Sequence, residues 1–109
     1  MKDLGQLIIT GIGGPTLSAA ERDFLVKEKI WGVRVFSKNF SDPVQLKALT
    51  DSINSLAFDH PFFICVDHEG GRVIRFKKYF TQFPPMLKLA KLEDPEIFYQ
   101  VGRIMGQEL

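Results

Sequence analysis

Three short apolar runs, two of them separated from the next by a well-capped helical pattern, most constrain what this chain can fold into. The runs are Gln6 to Thr10, Trp31 to Phe36 and Phe62 to Val66. Their aromatic and β-branched residues suit strands with a largely buried, pleated surface. After the first run, Ser18 with Glu21 three residues on forms a capping box. It opens a helix with Phe24 and Leu25 on its apolar face and an end near Lys29. After the second, Asp42 caps a helix with Pro43 first and Gln45 third, and Leu46, Leu49, Ile53 and Leu56 recur at helical spacing. After the third, Val73 to Phe76 reads as a short extended piece. Pro84 and Pro85 then impose a turn before a brief helix at Leu87 to Lys91, and Asp94 and Pro95 open a last helix with Ile97, Val101, Ile104 and Met105 on one face. This alternation predicts an α/β fold of parallel strands joined by right-handed crossovers. Three such strands leave two sheet edges unpaired, so the 109 residues are expected to be the first part of a larger α/β unit.

Composition narrows the partners. Fourteen basic against thirteen acidic residues give a net charge of +1, so no overall field favours nucleic acid or an anionic membrane. Arg72, Arg75, Lys77 and Lys78 among Phe76, Tyr79 and Phe80 imitate a basic aromatic patch, but read better as a solvated face over buried aromatics. One cysteine, Cys65, allows no internal disulfide or cysteine-based metal site and reads as a small buried hydrophobe. No stretch is long enough to span a bilayer, and the N-terminus shows no signal-like pattern, so a soluble, cytoplasmic protein is expected.

The chemistry gathers in VDHEGGRV, Val66 to Val73, directly after the third run. Parallel α/β folds present polar groups to ligands at such strand ends. An ionised Asp67 there can accept hydrogen bonds from the paired hydroxyls of a sugar. It can equally pair with Arg72 or Arg75, or cap local amides, and the residues alone leave both open. Glu69 invites a two-carboxylate glycosidase reading, but the acid and nucleophile of a retaining enzyme must flank the scissile bond. Two acids in one tight turn approach from the same wall, so Glu69 reads as support. Gly70 and Gly71 permit positive φ, for a turn or for room beside a ligand. His68 has no partner in sequence that would make it a proton-transfer group or metal ligand, and His60 reads as structural or solvent-facing. Gly11 to Gly14 matches neither phosphate-binding glycine pattern, and Lys38 and Asn39 fit an ordinary capped connection slightly better than a site wall.

The series GQLIITG, LSAAERDFL, WGVRVFSKNFSDPVQLKALT, FFICVDHEGGRVIRF and FPP resembles the N-terminal barrel domain of glycoside hydrolase family 3, most closely its single-domain bacterial β-N-acetylhexosaminidases. The resemblance implies that residues 1–109 are the N-terminal part of one domain, the first three βα units of a (β/α)8 TIM-type barrel incomplete in this chain. Such barrels typically need about 250 residues, so the remainder is required in cis or in trans. It implies that Asp67 binds sugar hydroxyls remote from the scissile bond, that Gly70, Gly71 and Arg72 shape the turn, and that Arg75 supports it. His68 stands where the family usually has Gln, and Arg34 interrupts its usual apolar second strand. The nucleophilic aspartate, the acid/base histidine and a Lys-His binding motif belong to later sequence, so no catalytic residue is assigned to this chain, which alone is expected to be inactive. The implied activity is retaining exo-hydrolysis of β-linked N-acetylglucosamine in cytoplasmic cell-wall muropeptide recycling, with a small carbohydrate as substrate and no metal or organic cofactor. The rivals are a carbohydrate-binding or assembly fragment without catalysis, and a β-glucosidase or xylosidase of the same family.

Overall fold

The structure, a computed structural model, describes residues 4–109. The start of the N-terminal stretch read for a signal, residues 1–3, lies outside them. The chain divides into two compact units, one ending at Val66 and the other running from Asp67 to Leu109.

In the first unit, strands β1 (Ile9–Thr10), β2 (Gly32–Val35) and β3 (Phe63–Val66) form one parallel sheet in that order. The register pairs Ile9 with Gly32, Gly32 with Phe63, and Val35 with Val66. Gly32 is required by this packing, because a Cβ on it would stand 2.6 Å from the carbonyl oxygen of Phe63. Helix α1 (Ala19–Lys27) lies between β1 and β2 in sequence, and α2 (Pro43–Asn54) between β2 and β3. The core is built from Leu25 of α1, Val33 and Val35 of β2, and Leu49 and Ile53 of α2, with Ile12, Leu17 and Ile30 from the connections, all buried.

Both caps form as read. The Ser18 hydroxyl accepts from the Glu21 amide while the Glu21 carboxylate accepts from the Ser18 amide, and the Asp42 carboxylate accepts from the amide of Gln45 with Pro43 at the first position. Helix α1 stops at Lys27, two residues short of the expected end. Lys29 adopts φ 52°, and the amides of Lys29 and Ile30 return to the carbonyls of Val26 and Leu25 at 3.2 and 3.0 Å. This left-handed double closure usually uses glycine, so Lys29 gave no warning of it. Phe24 faces outward, 48% exposed, and Leu25 alone of α1 is buried. Leu56 falls beyond α2, which ends at Asn54.

The first strand is shorter than its apolar run. Residues Leu4–Leu7 wind into a 3-10 helix, because the Gly5 carbonyl accepts from the amides of Ile8 and Trp31 at 2.9 and 3.0 Å. The third strand is less buried than its composition promised. Phe63 is 38% exposed, and Ile64, Cys65 and Val66 are half-buried, since β3 is an edge of this sheet. Cys65, which is in no disulfide, is therefore half-buried rather than a core residue.

In the second unit, α3 (Met86–Ala90) and α4 (Pro95–Glu108) follow an irregular segment. Asp94 caps α4 through the amide of Glu96, with Pro95 behind it. The expected extended piece at Val73 to Phe76 reduces to one antiparallel bridge between Gly70 and Val73. Ile74, Phe76, Phe83 and Leu89 are buried here, whereas no residue of α4 is. Tyr79, expected among buried aromatics, is 70% exposed, and its backbone has φ 70°.

Candidate functional site

The motif turn is built backbone first. The Glu69 amide donates to the Val73 carbonyl at 2.8 Å and the Val73 amide to Gly70 at 3.2 Å, closing the chain back on itself. Gly70 and Gly71 both have positive φ, +80° and +59°. The turn rests on the segment Phe83, Pro84, Pro85. The Gly71 amide donates to the Phe83 carbonyl at 2.7 Å, a Cβ on Gly70 would overlap the Pro84 carbonyl oxygen, and one on Gly71 would lie 2.6 Å from the Pro85 ring. The double glycine and FPP are thus one structural device, although eleven residues separate Gly71 from Phe83.

On this turn Asp67, the residue after β3, meets Arg75. An Arg75 Nη2 donates to the Asp67 Oδ2 at 3.1 Å, and the side chains keep 27% (Asp67) and 31% (Arg75) of their surface exposed. Of the two arginines offered by the sequence, the carboxylate is held by Arg75, while Arg72 is exposed on the turn. A guanidinium fixes the plane of a carboxylate better than an ammonium can. The exposed part of an oriented carboxylate is an acceptor for hydroxyl donors.

The other acids and imidazoles divide clearly. Glu69 is exposed and serves the turn through its backbone. His68 is half-buried, 6.4 Å from the Phe76 ring, with its Nδ1 buried and unbonded. Burial pushes its pKa down, which Glu108 partly opposes, so the imidazole is neutral at pH 7. Glu108 is itself occupied, accepting from the Thr81 amide at 2.8 Å and hydroxyl at 2.5 Å, and these bonds lower its pKa. Among the described residues no group of three or more His, Cys, Asp or Glu is placed to hold a metal, and no helix is long and apolar enough to cross a membrane.

Within the first unit, the loops after β1 and β2 are structural. Asn39 is wholly buried: its Oδ1 accepts from the Phe36 amide at 2.8 Å and its Nδ2 donates to the carbonyls of Ile12 and Gly14 at 3.2 and 2.8 Å. In the glycine run the Gly13 amide donates to the Glu21 carboxylate at 2.6 Å. Lys38 stays exposed. The cross-loop role of Asn39 had no signal in sequence, since its partners lie 25 and 27 residues away.

Residues 1–109 match the family model described as the glycosyl hydrolase family 3 N terminal domain. A β-hexosaminidase from Alkalilimnicola ehrlichii is 41% identical across 97% of this chain and 32% of its own length. Among solved structures, native NagZ from Neisseria gonorrhoeae is similar with a TM-score of 0.83 at 35% identity, covering 93% of this chain and 31% of that one. A glycoside hydrolase family 3 β-N-acetylglucosaminidase from Paenibacillus gives 0.87 at 30% identity, covering 96% and 20%. The chain spans about a third of the length of the curated relatives it matches.

Proposed function

Because the chain belongs to glycosyl hydrolase family 3, whose N-terminal domain it matches from end to end, we propose that it is the sugar-holding part of a retaining exo-β-N-acetylglucosaminidase. In this reading residues 1–109 supply the first three βα units of a (β/α)8 barrel that forms one domain with further sequence, and the family resemblance assigns the nucleophile and acid/base to that sequence. Asp67 accepts hydrogen bonds from two hydroxyls of the terminal sugar. Arg75 orients the carboxylate, Gly70, Gly71 and Arg72 shape the turn, and Glu69 supports it. The activity needs no metal or organic cofactor: displacement at the anomeric carbon forms a glycosyl-aspartate, and water then hydrolyses it. The biological setting proposed is cytoplasmic turnover of cell-wall muropeptides.

The observation that carries the reading is the partly exposed Asp67 carboxylate, oriented by Arg75 on a turn that only glycines fit. Relatives named β-hexosaminidase and β-N-acetylglucosaminidase support the choice of sugar. Hydrogen bonds to a charged group contribute about 1.5–3 kcal/mol each. Losing two in the transition state therefore lowers kcat/KM by roughly 10²–10⁴-fold. The test is kcat/KM of the intact enzyme on an aryl N-acetyl-β-glucosaminide, with Asp67→Ala and Asp67→Asn. A folded Asp67→Ala enzyme of unchanged kcat/KM would sink the assignment, as would normal turnover by the isolated 109-residue chain.

A further inference from the structure

A second polar cluster lies in the first unit, before the starts of β2 and β3. The His60 ring is almost completely enclosed, 6% exposed. Its Nδ1 is 3.0 Å from the Asp59 Oδ1 and its Nε2 is 2.9 Å from the Ile30 carbonyl oxygen. A backbone carbonyl and an ionised carboxylate only accept hydrogen bonds, so both ring nitrogens can be satisfied only if both carry a proton. The Asp59 pKa is lowered first by His60 itself and then by Lys29, 3.2 Å from the other Asp59 oxygen, so the carboxylate is ionised. The ring is closed in by Trp31, stacked with centroids 6.4 Å apart and planes at 19°, and by Phe58 edge-on at 5.5 Å.

We infer that His60 is held as an imidazolium that clamps the entry of β3 to the entry of β2, making this part of the sheet a pH-dependent element. Ile30 immediately precedes the Trp31 whose carbonyl accepts from the Phe63 amide at 3.3 Å, so the clamp sits next to the first bond of the β2–β3 register. Loss of one ring proton leaves a lone pair facing either the carboxylate or the Ile30 carbonyl, and one of the two bonds becomes a repulsion. The charged groups acting on the ring are Asp59 and Lys29: the Asp59 bond raises its pKa most, followed by the Ile30 carbonyl, against burial and Lys29. A group whose folded pKa is raised contributes its full stability below its unfolded value, about 6.5 for histidine, and loses it as pH rises through the folded value. The clamp therefore holds in mildly acid solution and weakens as pH rises through the raised folded value. At the acid limit it fails when Asp59, whose pKa is lowered chiefly by His60, takes a proton.

Ring-nitrogen NMR of the intact, histidine-labelled protein tests this directly. His60 is expected to show two protonated nitrogens at pH 6.5 and a titration midpoint above about 6.5, with the His68 midpoint displaced downward instead as an internal reference. Asp59→Asn is expected to move the His60 midpoint downward and to flatten the fall in urea midpoint between pH 6 and 9. A single neutral tautomer of His60 at pH 6.5, or a titration unmoved by Asp59→Asn, would overturn the inference.

Discussion

Replacing Asn39 is the sharpest test of how the first unit is held together. The side chain is 0% exposed and makes three hydrogen bonds, one accepted from Phe36 and two donated to Ile12 and Gly14. At a net contribution near 1 kcal/mol per bond, Asn39→Ala is expected to cost about 2–4 kcal/mol, because the groups left behind are largely out of reach of water. Asn39→Asp keeps the volume and the bond to Phe36. It replaces two donors with an acceptor set against two carbonyls, so its cost should equal or exceed that of alanine at neutral pH. The assay is urea unfolding of the intact protein, read as a change in midpoint at constant slope. With a slope of about 2 kcal/mol per molar, the expected loss is roughly 1–2 M. If Asn39→Asp lies within about 0.5 kcal/mol of the unsubstituted protein, the range of an ordinary surface change, the cross-loop clamp is not what the distances imply.

Two glycine substitutions should act with opposite signs. Gly70→Ala is expected to destabilise by at least about 1–3 kcal/mol from its positive φ alone, with overlap on the Pro84 carbonyl added. Gly102→Ala meets nothing within 4 Å on α4 and should stabilise by about 0.5–1 kcal/mol; thermal unfolding of the pair checks both. The Glu21 pKa is lowered first by the Ser18 hydroxyl, then by the amides of Gly13 and Ser18. Its contribution is complete above the ordinary glutamate value and lost as pH falls through the lower folded value, so Glu21→Gln should unfold with less acid sensitivity between pH 6 and 3. Ser18→Ala, which removes the hydroxyl half of the same capping box, should cost about 1 kcal/mol in urea unfolding at neutral pH.

What could be read from sequence was local. Asp42, Pro43 and Gln45 carry their cap within four residues, Ser18 and Glu21 likewise, and two adjacent glycines announce positive φ wherever they occur. The features that were missed depend on distant partners. Gln6 and Leu7 leave the strand because Gly5 bonds to Trp31, Asn39 is buried because Ile12 and Gly14 need its amide, and β3 is half-exposed because of its place at the sheet edge. At the site, an acid at a strand end was recognisable, and so were two candidate arginines. The choice of Arg75 over Arg72 needed the folded turn, in which Gly70 pairs with Val73 and leaves Arg72 exposed. His60 and His68 illustrate the same point: identical side chains have their pKa values moved in opposite directions by a carboxylate with a carbonyl in one case and by burial in the other.

The measurement that bears most directly on the central claim is a crystal structure of the intact protein with N-acetylglucosamine bound. The account requires the Asp67 carboxylate to lie within hydrogen-bonding distance, about 2.5–3.0 Å, of two hydroxyls of the sugar ring while Arg75 stays on its Oδ2. A sugar bound with its hydroxyls on other residues, and Asp67 engaged by protein alone, would contradict it.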